Sequence, residues 1–209
     1  DSLINSYLST LERIKNTSKN ENKNKVEIKF FQGDICDFNF LNSVFEIAEK
    51  NGHLIKGVIH FAGLKSVNES IKNPLKYWNS NLVGAINLVK VLQNHNINNL
   101  IFSSSAAVYS QKNKSPISEK GKLESLSPYG KTKYCIEQIL FDLFNSEPEN
   151  WKIINLRYFN PIGAHPSGLI GEIPTGIPNN IFPLINKVAS KEIETLKIYG
   201  NDWDTQDGT

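Results

Sequence analysis

Four strand-like runs, Val26–Phe31, Gly57–Phe61, Asn99–Ser104 and Lys152–Arg157, alternate with helix-like stretches along this chain. Strands separated by a helix's worth of residues cannot close as tight hairpins, so each must return through a crossover and lie parallel to its neighbour. Phe38–Lys50 supplies one crossover, with Leu41, Val44, Phe45 and Ala48 at helical spacing, and Leu75–Asn94 a second, with Leu82, Ala85, Ile86, Val89, Val91 and Leu92. The pattern predicts an α/β fold in which these helices cover a parallel sheet.

A third helix is the best defined. Ser127 is placed to cap it and Pro128 suits its first position, while Ile136, Ile139, Leu140, Leu143 and Phe144 supply an apolar stripe. Tyr129, Lys133, Ile136 and Leu140 follow one face, so the first turn of this helix falls at the carboxyl edge of the strands, where open α/β sheets take ligands. Residues 15–25, rich in Lys and Asn, read as a solvated loop. Beyond Arg157, Pro161, Pro166, Pro174, Pro178 and Pro183 interleave with Gly163, Gly168, Gly171 and Gly176, which predicts a loop-rich segment holding a short helix near Asn180–Ser190 and a strand at Thr195–Tyr199.

The pair Tyr129 and Lys133, within Ser-Pro-Tyr-Gly-Lys-Thr-Lys, forms an acid/base device when Ser105 arrives from the neighbouring strand. A phenol is a poor base at neutral pH unless its anion is stabilised, and an ammonium four residues on along a helix lies on the same face. The serine hydroxyl can donate or accept at the same reacting oxygen. Together the three residues suggest proton transfer to or from a hydroxyl.

Composition narrows the partners. The 209 residues are 39% hydrophobic, enough for one domain and the start of a second, and 23 Lys and Arg against 21 Asp and Glu leave no basic footprint for nucleic acid or an anionic membrane. Cys36 and Cys135 lie far apart without metal spacing and read as reduced thiols; His165 has no metal cluster around it. The apolar runs are strand-sized, as in Val58–Leu64, and the expected setting is cytoplasmic.

On this background the segments Phe61-Ala-Gly-Leu-Lys65, Ser103-Ser-Ser-Ala-Ala-Val-Tyr109, Arg157-Tyr-Phe-Asn-Pro161, Gly163-Ala-His-Pro-Ser-Gly168 and Gly176-Ile-Pro-Asn-Asn180 resemble the UDP-glucose 4-epimerases, a family of extended short-chain dehydrogenases/reductases. The resemblance covers nearly the whole chain. It implies a doubly wound Rossmann sheet, with residues 1–160 as a truncated NAD-binding domain and residues 161–209 as the start of a nucleotide-sugar-binding region. It also implies that the family's first two strands and glycine-rich phosphate loop precede Asp1, which accounts for the absence of methionine, and that a carboxyl-terminal third follows Thr209.

The same resemblance assigns sites. Asp1 would bond the adenosine ribose of NAD, with Ser2, Leu3, Ile4, Asn5 and Ser6 lining that pocket, although Asp1 also reads as a plain polar terminus. Asp34 and Ile35 would meet the adenine; alternatively Asp34 caps the following helix, for which Asp37 is the better candidate. Phe61, Ala62, Gly63, Leu64 and Lys65 would pass along the cofactor, with Ser80 and Asn81 ordering the site and Phe159 near the nicotinamide. His60 reads as a core residue. Tyr129, Lys133 and Ser105 would contact NAD, Ser105 and Tyr129 also the sugar, and all three would perform the chemistry: a proton leaves the sugar 4-hydroxyl as its hydride passes to NAD, the 4-keto sugar turns, and the hydride returns to the other face. Ala106, Ala107, Asn160, Asn179, Asn180, Ile181, Lys197, Ile198 and Tyr199 would contact UDP-glucose or UDP-galactose, while Asn179 and Asn180 serve equally as helix caps. The family further implies a homodimer.

Two rivals remain at this point. A 4,6-dehydratase or decarboxylase of the same superfamily shares the scaffold, but a dehydratase places an Asp-Glu pair where this chain has Ala106-Ala107. A non-catalytic nucleotide-binding relative would have no use for all three of Ser105, Tyr129 and Lys133.

Overall fold

The computed structural model describes residues 1–21, 27–172, 178, 180–198 and 200–202, with Lys19–Glu21 described in backbone only. The chain divides into two compact units. The first comprises Asp1–Leu3 and Ile28–Pro161, and the second Ile4–Glu27 and Ile162–Thr209.

The first unit is built on a parallel three-stranded sheet of β1 (Val58–His60), β2 (Asn99–Ser105) and β3 (Lys152–Tyr158), in that spatial order. Ile59 pairs with Ile101 and Ile101 with Ile154, so these three residues share a face. Helix α2 (Phe38–Lys50) precedes the sheet. Between β1 and β2 the chain forms α3 (Val67–Lys72), α4 (Pro74–Tyr77), a π-helical segment Trp78–Val83 and α5 (Gly84–Asn94); α6 (Pro128–Ser146) joins β2 to β3. Successive crossovers that advance in one direction across a sheet, all right-handed, place their helices on one face. Leu100 and Phe102 accordingly pack with Val91 and Leu92 of α5, Ile136 and Leu140 of α6 and Phe45 of α2. Burying each such side chain contributes about 1.5–3 kcal/mol. The opposite face presents Ile59, Ile154, Leu156 and Tyr158, which are exposed.

Local chemistry sets the helix starts. Asp37 caps α2 by accepting from Phe40 N at 3.0 Å, and Ser127 caps α6 by accepting from Gly130 N at 3.1 Å with Pro128 next. Gly130 is required by close approach: a Cβ there would stand 2.5 Å from Ala107 O and also collide with Ser125 Oγ. Gly130→Ala is therefore expected to lower stability by about 1–3 kcal/mol through overpacking, read by urea unfolding. An unchanged midpoint would show that the turn at Ala107 yields freely.

The second unit contains α1 (Leu8–Glu21) and α7 (Ile181–Ala189). Within it Arg13 donates to Leu169 O at 3.5 Å.

Several expectations change. Residues 15–21 are helical rather than looped, continuing the turns begun at Leu8, and residues 22–25 of that stretch lie outside the described residues. The expected strand at Val26–Phe31 is irregular over its described part, residues 27–31, where Phe31 O accepts from the Asp1 main-chain nitrogen at 3.2 Å and Asp1 O accepts from Gly33 N at 3.1 Å. Thr195–Ile198 is irregular, and Tyr199 and Val26 lie outside the described residues. The helix expected over Leu75–Asn94 is interrupted by the π segment.

Candidate active site

The carboxyl ends of β1 and β2 and the first turn of α6 meet in the first unit, bringing Ser105, Tyr129 and Lys133 together. All of Tyr129, Lys133, Ile136 and Leu140 are buried, as one helix face demands. The Tyr129 ring stands edge-on to Tyr77, centroids 6.5 Å apart at 83°. Burial raises the Tyr129 pKa, and a hydrogen bond with the Ser105 side chain works in the opposite direction. Ser105 Oγ also accepts from Ala107 N at 3.2 Å, capping the short 3-10 turn Ala106–Val108.

Lys133 differs from the simple expectation of a charge supplied to the phenol. Its Nζ donates to Ser103 O at 2.7 Å and lies 4.8 Å from the centre of the Phe102 ring. Burial lowers the ammonium pKa from 10.5 to about 8. His60 shares this pocket, its ring 5.6 Å from that of Phe102, and burial followed by the Lys133 charge lowers its pKa to about 4. Of the two groups, the lysine holds the charge at neutral pH, in keeping with His60 as a core residue.

Asn81 organises the floor of the site. From the π segment its Oδ1 accepts from Leu64 N at 2.8 Å, while Nδ2 donates to Leu64 O at 3.0 Å and to Thr132 Oγ1 at 3.2 Å. Thr132 in turn donates to Tyr129 O at 2.6 Å. One side chain thus clamps the loop after β1 to the first turn of α6. π-helical turns accommodate an extra residue and recur at functional sites, and here the wider turn carries the inward-facing amide. Gly63 has φ +149°, and a Cβ would stand 3.0 Å from Asn81 Oδ1 and 3.9 Å from Lys133 Nζ. A flat ligand can therefore approach this bare backbone closely. Phe61, Ala62 and Lys65 are exposed beside it, and Ser80 is half-buried.

The remaining candidates are scattered. Asp1 accepts from Leu3 N at 2.6 Å through its carboxylate, and its main-chain nitrogen donates to Phe31 O at 3.2 Å. Ser2 is exposed beside it; Ile4, Asn5 and Ser6 belong to the second unit. Asp34 accepts from Cys36 N at 2.9 Å and so shapes its own turn, leaving Asp37 as the cap of α2. Ile35 packs on Gly84, where a Cβ would come within 2.6 Å of it. Phe159 and Asn160 are exposed after β3, the Phe159 ring 6.4 Å from that of Tyr109. In the second unit Asn180 does not cap α7 through its side chain but donates to Glu172 at 2.6 Å; Ile181, Lys197 and Ile198 are exposed. Asn179 and Tyr199 lie outside the described residues.

Sequence reasoning missed Thr132 and Tyr77 in the site, and the Glu137–Arg157 ion pair behind it. Thr132 and Glu137 could have been flagged as polar residues flanking the buried face of α6. Cys36 is not reactive in this setting, since burial and the Asp34 carboxylate push its thiol up to about 11. Among the described residues no cluster of His, Cys, Asp and Glu could hold a metal, and no helix is long and apolar enough to cross a membrane.

The model of the GDP-mannose 4,6 dehydratase family matches residues 2–209. The UDP-glucose 4-epimerase of Dictyostelium discoideum is 46% identical over 209 residues, which cover 100% of this chain and 57% of that protein. The chain belongs to the epimerase/dehydratase family. The UDP-glucose 4-epimerase of Bacillus subtilis (strain 168) is another relative, 44% identical over 100% of this chain and 58% of its own. Among solved structures, the UDP-glucose 4-epimerase of Bifidobacterium longum in complex with NAD+ and UDP superposes with a TM-score of 0.89 at 43% identity, covering 100% of this chain and 59% of that one. This member of the epimerase/dehydratase family thus spans a little over half the length of these relatives, and the matched half contains the whole Ser105, Tyr129 and Lys133 arrangement.

Proposed function

We propose that the protein carrying this chain is an NAD-dependent UDP-glucose 4-epimerase that interconverts UDP-galactose and UDP-glucose. The observation that carries the reading is Tyr129, held by burial and by Ser105 at the carboxyl edge of the sheet, one helical turn before Lys133, whose buried ammonium bonds Ser103 O at the same strand end. Tyr129 Oη takes the proton from the sugar 4-hydroxyl and returns it after inversion. Ser105 Oγ holds that hydroxyl, and Lys133 stabilises the phenolate electrostatically.

The chain's residues fit the dinucleotide. Gly63 leaves the backbone open because a Cβ would crowd Asn81, and Phe61, Ala62 and Lys65 flank it. These residues would hold NAD, with Asp34 and Ile35 towards the adenine and Asp1, Ser2 and Leu3 at the ribose. NAD supplies the reversible hydride acceptor for C4. Asn160 from the first unit, and Asn180, Ile181, Lys197 and Ile198 from the second, are assigned to the nucleotide-sugar. A homodimer and a cytoplasmic setting complete the reading on family likeness.

A 4,6-dehydratase is the second reading, favoured by the name of the matching family model. Against it, the turn after Ser105 presents only the methyl groups of Ala106 and Ala107, which cannot move the protons an elimination requires. The full-length protein is expected to convert UDP-galactose to UDP-glucose without net consumption of NAD. A dehydrated product, or no UDP-glucose at all, would overturn the proposal.

A further inference from the structure

Behind the reacting groups lies a second network that the reaction itself does not use. In the parallel register Ser104 is paired with Arg157, and both grip Glu137, one turn beyond Lys133 on α6. Ser104 Oγ donates to Glu137 Oε1 at 2.5 Å. Arg157 Nε donates to both carboxylate oxygens at 3.0 and 3.2 Å, and a terminal nitrogen reaches Oε2 at 2.7 Å. The other terminal nitrogen donates to Tyr109 OH at 3.0 Å and to Glu119 O at 2.9 Å, with the guanidinium 5.0 Å from the Tyr109 ring. The Glu137 side chain is only 4% exposed.

A buried ion pair of this kind is poor value for stability, since desolvation cancels much of the attraction. Its geometry does something else. Three elements are joined at one carboxylate: the end of β2, the end of β3 and the helix that carries Tyr129 and Lys133. The adjoining residue of β2 is Ser105, and because neighbours along a strand point to opposite faces, anchoring the Ser104 hydroxyl to one face fixes the direction of the Ser105 hydroxyl on the other.

We propose that Glu137 and Arg157, acting through Ser104, are positioning residues that hold Ser105 against Tyr129. This rests on the reading of Tyr129 as the proton-transfer group. Loosening the network lets the end of β2 shift against α6, so the Ser105 hydrogen bond to the phenol weakens while the fold, secured by the core below, persists. Tyr129 otherwise meets Tyr77 from α4, with Glu69 bonded behind Tyr77, while Lys133, one turn on along α6, bonds Ser103 O with His60 of β1 nearby. Lys133 also lies one turn from Glu137 on α6, so Ser104→Ala, which removes no charge, is the variant that isolates the route through Ser105.

The test uses the full-length protein and the variants Ser104→Ala, Ser104→Thr and Glu137→Gln. Ultraviolet difference titration, with Tyr129→Phe subtracted, reads the Tyr129 phenol alone and needs no sugar substrate. Ser104→Ala and Glu137→Gln are expected to raise its apparent pKa by about one pH unit, since a bond favouring the phenolate is weakened. Alongside, kcat for C4 inversion falls about tenfold at near-constant KM, as expected when an interaction made in the transition state is lost. Ser104→Thr restores both. A wild-type titration in Ser104→Ala overturns the positioning role, whatever happens to kcat. Wild-type protein that fails to invert C4 overturns the proposed function instead, and the titration still decides the network.

Discussion

Tyr129→Phe in the full-length protein is expected to reduce turnover of UDP-galactose about a thousandfold while leaving NAD bound. Removing one hydroxyl deletes the group assigned to take the sugar proton, and general acid/base catalysis is worth roughly 10²–10⁴ in rate. Little else changes. The phenyl ring keeps its edge-on contact with Tyr77, and Thr132 still donates to the main-chain oxygen of residue 129, so the clamp through Asn81 survives. The residues assigned to NAD, from Phe61 to Lys65, do not depend on the phenol. The check is turnover together with the NAD released on denaturation. Activity within tenfold of wild type would remove Tyr129 from the mechanism, and a parallel loss of NAD would make it a cofactor ligand first.

Lys133→Met is expected to abolish activity and yet stabilise the fold at neutral pH. Burial lowers the ammonium pKa from 10.5 to about 8, so the native protein releases this proton more readily than the unfolded chain does. Between those values the unfolded state binds more protons, and stability therefore rises with pH across that window. Below it the cost of the buried charge is present in full, ~3 kcal/mol for a shift of this size. Methionine removes that cost but leaves Ser103 O without its donor, which returns ~1 kcal/mol of the gain. The variant should thus exceed wild type by about 2 kcal/mol at pH 7, with the gap closing near pH 10. Urea unfolding at both pH values measures it, and a variant less stable than wild type at pH 7 would show that the Ser103 bond outweighs the burial cost.

The sequence discloses elements whose signals are local and hides those that depend on distant partners. Asp37 before an amphipathic run, and Ser127-Pro128 before another, mark α2 and α6 because capping and periodicity act within a few residues. The run at Val26–Phe31 has the composition of a strand, but a strand is defined by a ladder with a neighbour, and residues 27–31 are irregular. The π segment leaves no compositional trace, since its apolar residues satisfy the helical template around it. Among the site residues, Tyr129 and Lys133 are four apart on one helix and announce themselves. Asn81 and Thr132 are 51 residues apart and Glu137 and Arg157 20 apart, so only the folded chain brings them together. The role of Lys133 was half legible: its place beside the phenol follows from spacing, but its bond to Ser103 O and its burial do not.

The run Ser103-Ser104-Ser105 is chemically uniform, yet the pleat of β2 gives each member a different partner. Ser103 lends its carbonyl to Lys133, Ser104 its hydroxyl to Glu137 and Ser105 its hydroxyl to Tyr129. Mutational tolerance along this run should therefore be uneven. Position 103, whose recorded bond is made by main chain, can accept alanine or threonine under selection for activity, whereas its two neighbours cannot exchange duties. A one-residue slip of β2 against β3 would preserve every letter of the motif and bring the wrong hydroxyl to the phenol, so strand register itself is part of the catalytic specification.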